Sequence, residues 1–145
     1  MDDFSEGALS FDRLVSAIEA VCKRHSCSYA LLFGSWSRGR GKKYSDVDVA
    51  VKLKIAGNHA EKSAEIAAEL EEELGVEVDV VSISTADSVL KYEIFAQGTL
   101  VFCENKDEFL DDKVNAVDEY LDFKPCFEKH FRRVVEEIKR ASSGG

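Results

Sequence analysis

Two aspartates one residue apart, Asp46 and Asp48, follow a glycine-serine pair, Gly34-Ser35, after ten intervening residues. From Asp46 to Leu53 the chain alternates, with Val47, Val49, Val51 and Leu53 on one side and Asp46, Asp48, Ala50 and Lys52 on the other. That is a strand with one core face. On it Asp46 and Asp48 project together, their Cβ atoms roughly 6.5 to 7 Å apart, and can bracket metal ions. Paired hard cations about 3.5 to 4 Å apart, held by carboxylates and phosphate oxygens, suit in-line displacement at phosphorus. Magnesium is the expected metal, as two ions. A third carboxylate on a neighbouring strand would complete the cage and could take a hydroxyl proton. Val76, Val78 and Val80 alternate with Glu77, Asp79 and Val81 in the next such strand. Asp79, flanked by two valines and expected near the buried middle of the strand, is the candidate; Glu77 on the same face competes with it.

The glycine-serine pair supplies the anion side. Tyr29 to Phe33 is a continuous apolar run, read as a strand buried on both faces and stopped by Gly34. A glycine there lets backbone N–H groups approach a phosphate, and Ser35 at a helix N-terminus adds a hydroxyl where the helix dipole favours an anion. From Gly34 to Ser45 stand Arg38, Arg40, Lys42 and Lys43 and no acid, so the segment carries +4 and the remainder −13 of a net −9. A basic loop in an acidic body suits a small polyphosphate better than a long polyanion, and the net charge disfavours a nucleic-acid duplex. A P-loop is excluded, since Arg40 and Gly41 follow Gly39 where that loop needs Lys and Ser or Thr.

The elements that must position these groups are legible by period. Phe11, Leu14, Val15, Ile18, Val21 and Cys22 make a first helix, capped by Ser10 and ended at His25-Ser26. Asn58 to Glu61 resembles a capping box, and Ala60, Ala64, Ala67, Leu70 and Leu74 continue a helix that Gly75 ends. Ser84 or Thr85 is expected to cap a third helix running to about Ala96, before a last strand at Thr99 to Cys103. Beyond it lie helical stripes, Phe109 to Leu121 and Phe127 to Ile138, with a break or kink expected at Pro125 and a frayed tail from Ala141. The aromatic stripe is read first as core; a partner or dimer surface, hence a homo-oligomer, is the alternative.

The fold class is therefore α/β (α+β), a mixed sheet of about four strands flanked by helices with a helical C-terminus, in one domain over residues 1–145. No run of 18 apolar residues exists and the start, Met1-Asp2-Asp3-Phe4, is acidic, so no membrane association is expected and the cytoplasm is the expected location. Cys22, Cys27, Cys103 and Cys126 form no C-x-x-C pair; free buried thiols are expected, not a zinc site.

Leu32-Phe33-Gly34-Ser35, Asp46-Val47-Asp48-Val49 and the later Asp79 together resemble the minimal nucleotidyltransferases of the DNA polymerase beta superfamily. More narrowly, with Glu93 to Phe102 and Tyr120 to Pro125 included, the chain is similar to the MntA-type antitoxins of HEPN/MNT toxin–antitoxin pairs. The resemblance implies a polymerase-beta-like fold and AMP transfer from ATP, the substrate, to a hydroxyl, typically a tyrosine, of a HEPN toxin partner. It places Gly34 and Ser35 on the ATP phosphates, Asp46 and Asp48 on two Mg2+ ions, and Asp79 as third carboxylate. Arg38 and Ser45 are assigned to the nucleotide with them. Plain solvation weighs equally for Arg38 and Arg40, Trp36 either stacks on adenine or packs the loop, and Lys52 is as readily a salt-bridge partner as a phosphate contact. Two other functions compete: an antitoxin that masks its partner by contact alone, and a transferase for an aminoglycoside-like small molecule.

Overall fold

The protein's computed structural model describes residues 9–34 and 47–143. Ser35, Trp36, Arg38, Arg40, Ser45 and Asp46 lie outside the described residues, as does the helix start expected at Ser35. Helix α1 (Phe11–Arg24) begins where the Ser10 hydroxyl accepts the Arg13 N–H at 3.1 Å. Strand β1 (Cys27–Phe33) follows, then β2 (Val47–Leu53), α2 (His59–Leu74), β3 (Val78–Ser82), α3 (Ser88–Gln97), β4 (Thr99–Cys103) and α4 (Lys106–Ser143). The sheet order is β3-β2-β1-β4, with β1 antiparallel to both neighbours and β2 parallel to β3. This is the four-stranded mixed sheet expected, and central β1 is buried over Cys27 to Leu32, which explains its unbroken apolar run.

Each sheet face carries its own core. On one, Ala30, Leu32, Val47, Val49, Val51, Leu53 and Val78 pack against α1 and α2 through Leu14, Ile18, Val21, Ile66 and Leu70. On the other, Tyr29, Leu31 and Ala50 meet Ile83, Ile94, Phe95, Phe109 and Ala116. A bulge in β1 between Cys27 and Tyr29 breaks the strict alternation, so Cys27 faces the first core and Tyr29 the second.

Tyr29 ties α4 to this second face. Its ring meets Phe109 edge-on at 5.2 Å, and its hydroxyl donates to Asp112 Oδ2 at 2.7 Å. Lys52 Nζ donates to the same oxygen at 2.7 Å, with Glu108 Oε2 at 3.8 Å. The lysine that shares the aspartates' strand face is thus a salt-bridge partner of α4.

Four expectations are corrected. Helix α3 is capped by Asp87, which accepts the Leu90 N–H at 2.8 Å, and not by Ser84 or Thr85. Burial of Ile83 winds Ile83–Thr85 into a 3-10 turn first, with the Thr85 hydroxyl donating to the Ser82 carbonyl. Helix α4 runs unbroken through Pro125 and on to Ser143, because one missing N–H removes a single bond that the turns on either side outlast. Among its described side chains α4 is buried only at Phe109 and Ala116. Leu121, Phe131 and Ile138 are 55%, 61% and 60% exposed, since α4 at about 57 Å outruns the sheet it packs on. The side chains of Phe123, Cys126 and Phe127 lie outside the described residues. Cys22 and Cys27 are buried free thiols and Cys103 is half-buried. Among the described residues no helix is long and apolar enough to cross a membrane.

Burial first, and then the hydrogen bond to Asp112, raise the Tyr29 phenol well above the ordinary tyrosine range. In the unfolded chain it ionises near pH 10, so its contribution to stability is complete below that pH and is lost as pH rises further. Urea titrations from pH 8 to 11 are expected to show stability falling above about pH 10, with a flatter profile in Tyr29→Phe. Asp112→Ala, which orphans the Tyr29 hydroxyl and one Lys52 contact, is expected to cost about 1 to 3 kcal/mol at pH 7.5.

Candidate active site

The candidate residues meet at one end of the sheet. Phe33 at the end of β1 pairs with Asp48, and Asp48 pairs with Asp79 across the parallel β2–β3 ladder. Gly34, Asp48 and Asp79 therefore stand in a row across three strands. The local cause is alternation on both sides of the ladder. Val47 and Val49 on β2, and Val78 and Val80 on β3, turn toward α1 and α2, which sends Asp48 and Asp79 to the opposite face. Neighbouring strands lie about 4.8 Å apart, so the two carboxylates leave the sheet side by side.

Gly34 makes the bend at the edge of this pair. Its φ is +76°, and a Cβ built on it would lie 2.6 Å from Asp48 Oδ2. Asp48 is half-buried, its carboxylate folded against the glycine Cα. Asp79 is exposed, because β3 begins only at Val78 and Asp79 is its second residue, not the buried middle expected of it. Val76 and Glu77 precede the strand, although the Glu77 carbonyl accepts the Val47 N–H at 3.0 Å and starts the ladder.

Asp48 and Asp79 offer oxygen donors only, and hard oxygen donors at neighbouring positions fit magnesium and not zinc. Among the described residues no cluster of three or more His, Cys, Asp or Glu is gathered for a metal. Asp46, expected with Asp48 to bracket the metal ions, lies outside them, as do Ser35, Arg38 and Ser45. Sequence reasoning missed what borders Asp79 on its other flank: a cavity of about 730 Å3 between α2 and β3. The available signal was the run of small residues Ala60, Ser63, Ala64 and Ala67 along one side of α2.

Gly34 and Gly75 offer a matched comparison, since both have positive φ but nothing lies within 4 Å of a Cβ on Gly75. Alanine at either is expected to cost about 1 to 2 kcal/mol in denaturant midpoint through backbone strain. Only Gly34→Ala displaces the Asp48 carboxylate, so only it is expected also to weaken binding of ATP, measured by calorimetry with magnesium present, by about tenfold or more.

Comparison with known proteins gives this geometry its context. A family model described as polymerase beta, nucleotidyltransferase, matches residues 16–107. A protein of Methanocaldococcus jannaschii named as a protein adenylyltransferase is 30% identical over 86 residues, 59% of this chain and 91% of that protein. Among solved structures, a toxin–antitoxin bound to AMP-PNP superposes with a TM-score of 0.74 at 24% identity, covering 83% of this chain and 98% of that one. A chain from the complex of tri-AMPylated Shewanella oneidensis HEPN toxin with MNT antitoxin gives 0.72 at 20% identity, covering 86% and 98%. With more than half of its length matched and Gly34, Asp48 and Asp79 inside the match, the chain belongs to the polymerase-beta nucleotidyltransferase family.

Proposed function

We propose that the protein transfers AMP from ATP to a hydroxyl of a partner protein, a HEPN-type toxin whose acceptor is a tyrosine, and so acts as its antitoxin. The observation that carries this reading is the in-register pair Asp48 and Asp79 beside the Gly34 bend. The M. jannaschii relative named as a protein adenylyltransferase supports AMP as the group and protein as the acceptor. The fold shared with an MNT antitoxin complex whose toxin is AMPylated supports the partner. Buried free cysteines are in keeping with the reducing cytoplasm.

In this reaction the acceptor oxygen attacks the α-phosphorus of ATP, the bond from that phosphorus to the bridging oxygen breaks, and pyrophosphate leaves. Asp79, exposed at the strand start, takes the acceptor's proton. Asp48, with Asp46 and Asp79, would hold two magnesium ions, and these would supply charge neutralisation at the phosphates. Gly34 and Ser35 present backbone N–H groups and a hydroxyl to the phosphates, and Arg38 and Ser45 steady the triphosphate.

A second reading, neutralisation by contact alone, is favoured by the exposed apolar side chains along α4, among them Leu110, Val114 and Leu121. Co-expression with a HEPN partner separates the two. Asp48→Asn and Asp79→Asn are each expected to reduce AMP addition, read by intact-mass spectrometry, by at least about a hundredfold, and to release toxicity. Should both variants neutralise the partner as well as the parent protein, contact and not transfer is its biology.

A further inference from the structure

The acceptor hydroxyl must reach Asp79, and β3, which carries it, lies at the edge of the described sheet, paired among the described residues to β2 alone. The bond from Val47 N–H to the Glu77 carbonyl sets the alternation of that ladder. Glu77, Asp79 and Val81 turn their backbone groups toward β2, while Val78, Val80 and Ser82 turn theirs outward. Two outward groups are already taken. The Val78 N–H donates to Glu71 Oε2 at 3.0 Å, and the Ser82 carbonyl accepts from the Thr85 hydroxyl at 3.2 Å. Among the described residues nothing bonds the outward N–H and carbonyl of Val80 between them.

The cavity of about 730 Å3 lies along that edge, and its other wall is the small side of α2: Ala60, Ala64 and Ala67. Ser63 also lines it. That serine is only 7% exposed and among the described residues its hydroxyl has no hydrogen-bond partner. A buried hydroxyl left unmade is unfavourable, and a polar occupant of the groove would complete it. Among the described residues Asp79 is the carboxylate that lines the groove and no Lys or Arg lines it, so the groove favours a basic occupant.

We propose that this groove takes an extended, basic segment of the acceptor protein as a strand added to β3, with the residue opposite Asp79 presenting its hydroxyl to that carboxylate. This rests on the AMP-transfer reading and adds how the acceptor docks. Backbone bonds to Val80 hold the segment. Cross-strand neighbours project to the same face, so alternate side chains of the segment lie beside Asp79 and the others lie over the alanines of α2.

The test uses the full chain and three fluorescein-labelled eight-residue peptides. One alternates lysine and valine with a central tyrosine in a lysine position, one has glutamate for lysine, and one is the basic peptide N-methylated on alternate amides. By anisotropy the basic peptide is expected to bind at least about tenfold more tightly than either of the others. Ala64→Trp, which fills the groove at an exposed position, is expected to weaken it by about tenfold or more while calorimetric ATP binding is unchanged. Ser63→Ala is expected to leave the Tm unchanged or raised, yet to weaken the peptide roughly fivefold. A structural serine would not give that combination. No binding of the basic peptide, equal binding of the acidic one, or indifference to Ala64→Trp overturns the docking proposal. Radiolabelled ATP separates it from the chemistry: binding as described with no AMP on the tyrosine leaves docking standing and counts against transfer, whereas equal labelling by the parent and Ala64→Trp does the reverse.

Discussion

The parallel register of β2 on β3 sets Asp48 directly beside Asp79, and two carboxylates one strand spacing apart repel. At about 5 Å the repulsion is on the order of 1 to 3 kcal/mol between the dielectric of water and that of a protein surface. Against it stand Val47, Val49 and Val51, all fully buried on the opposite face of β2, each contributing about 1.5 kcal/mol or more. A slip of one residue would bring these valines out and bury the aspartates. The hydrophobic core therefore holds the pair together, and the acids keep a concentrated negative charge at the sheet end beside Gly34. Such a charge is useful to a protein that must gather cations against a triphosphate.

The same division of labour explains what the sequence made legible. Alternating valines and acids told both the strand and its orientation, because a period of two leaves only one way to bury the valines. Ser10, Asn58 and Gly75 were readable because a cap satisfies backbone groups that nothing distant can replace: Asn58 accepts the Glu61 N–H and Gly75 takes the left-handed conformation at φ 74°. Where several residues could serve, local chemistry was silent. Ser84, Thr85 and Asp87 are all good caps, and the choice of Asp87 was made by the burial of Ile83 against the second core. The exposure of Asp79 was hidden for a related reason, since the place where β3 starts depends on where β2 can offer it partners. The groove between α2 and β3 was invisible as well: small residues on a helix read the same whether they pack closely or leave room.

Asp112 belongs to the class that only the folded chain reveals. It lies 60 residues from Lys52 and 83 from Tyr29, and both donate to one of its oxygens. Tyr29 is fully buried in β1 and Lys52 sits on the Asp48 face of β2, so this single carboxylate anchors the first turns of α4 to the two central strands. An ion pair this shallow adds little by itself, but a buried phenol demands a partner, and that demand holds the first turns of α4 against the sheet. The rest of the helix, with its exposed leucine, phenylalanine and isoleucine, then extends from a rigid root.

Two surfaces of different character follow. At Val80 the open edge offers one N–H and one carbonyl, and at roughly 1 kcal/mol net each such bonds supply about 2 kcal/mol before the cost of ordering an incoming segment. Alone that is weaker than millimolar affinity, so in the proposed docking mode side chains and the Asp79 carboxylate would set which segment docks, and a modified product would leave easily. A stable grip on a partner cannot come from such an edge. It requires contiguous apolar area, which α4 exposes at Leu110, Val114 and Leu121 and again at Phe131 and Ile138. A protein that holds its partner through α4 and samples it through β3 would separate affinity from turnover. Each could then be tuned without disturbing the carboxylate pair, whose position depends on neither surface but on the valines beneath it.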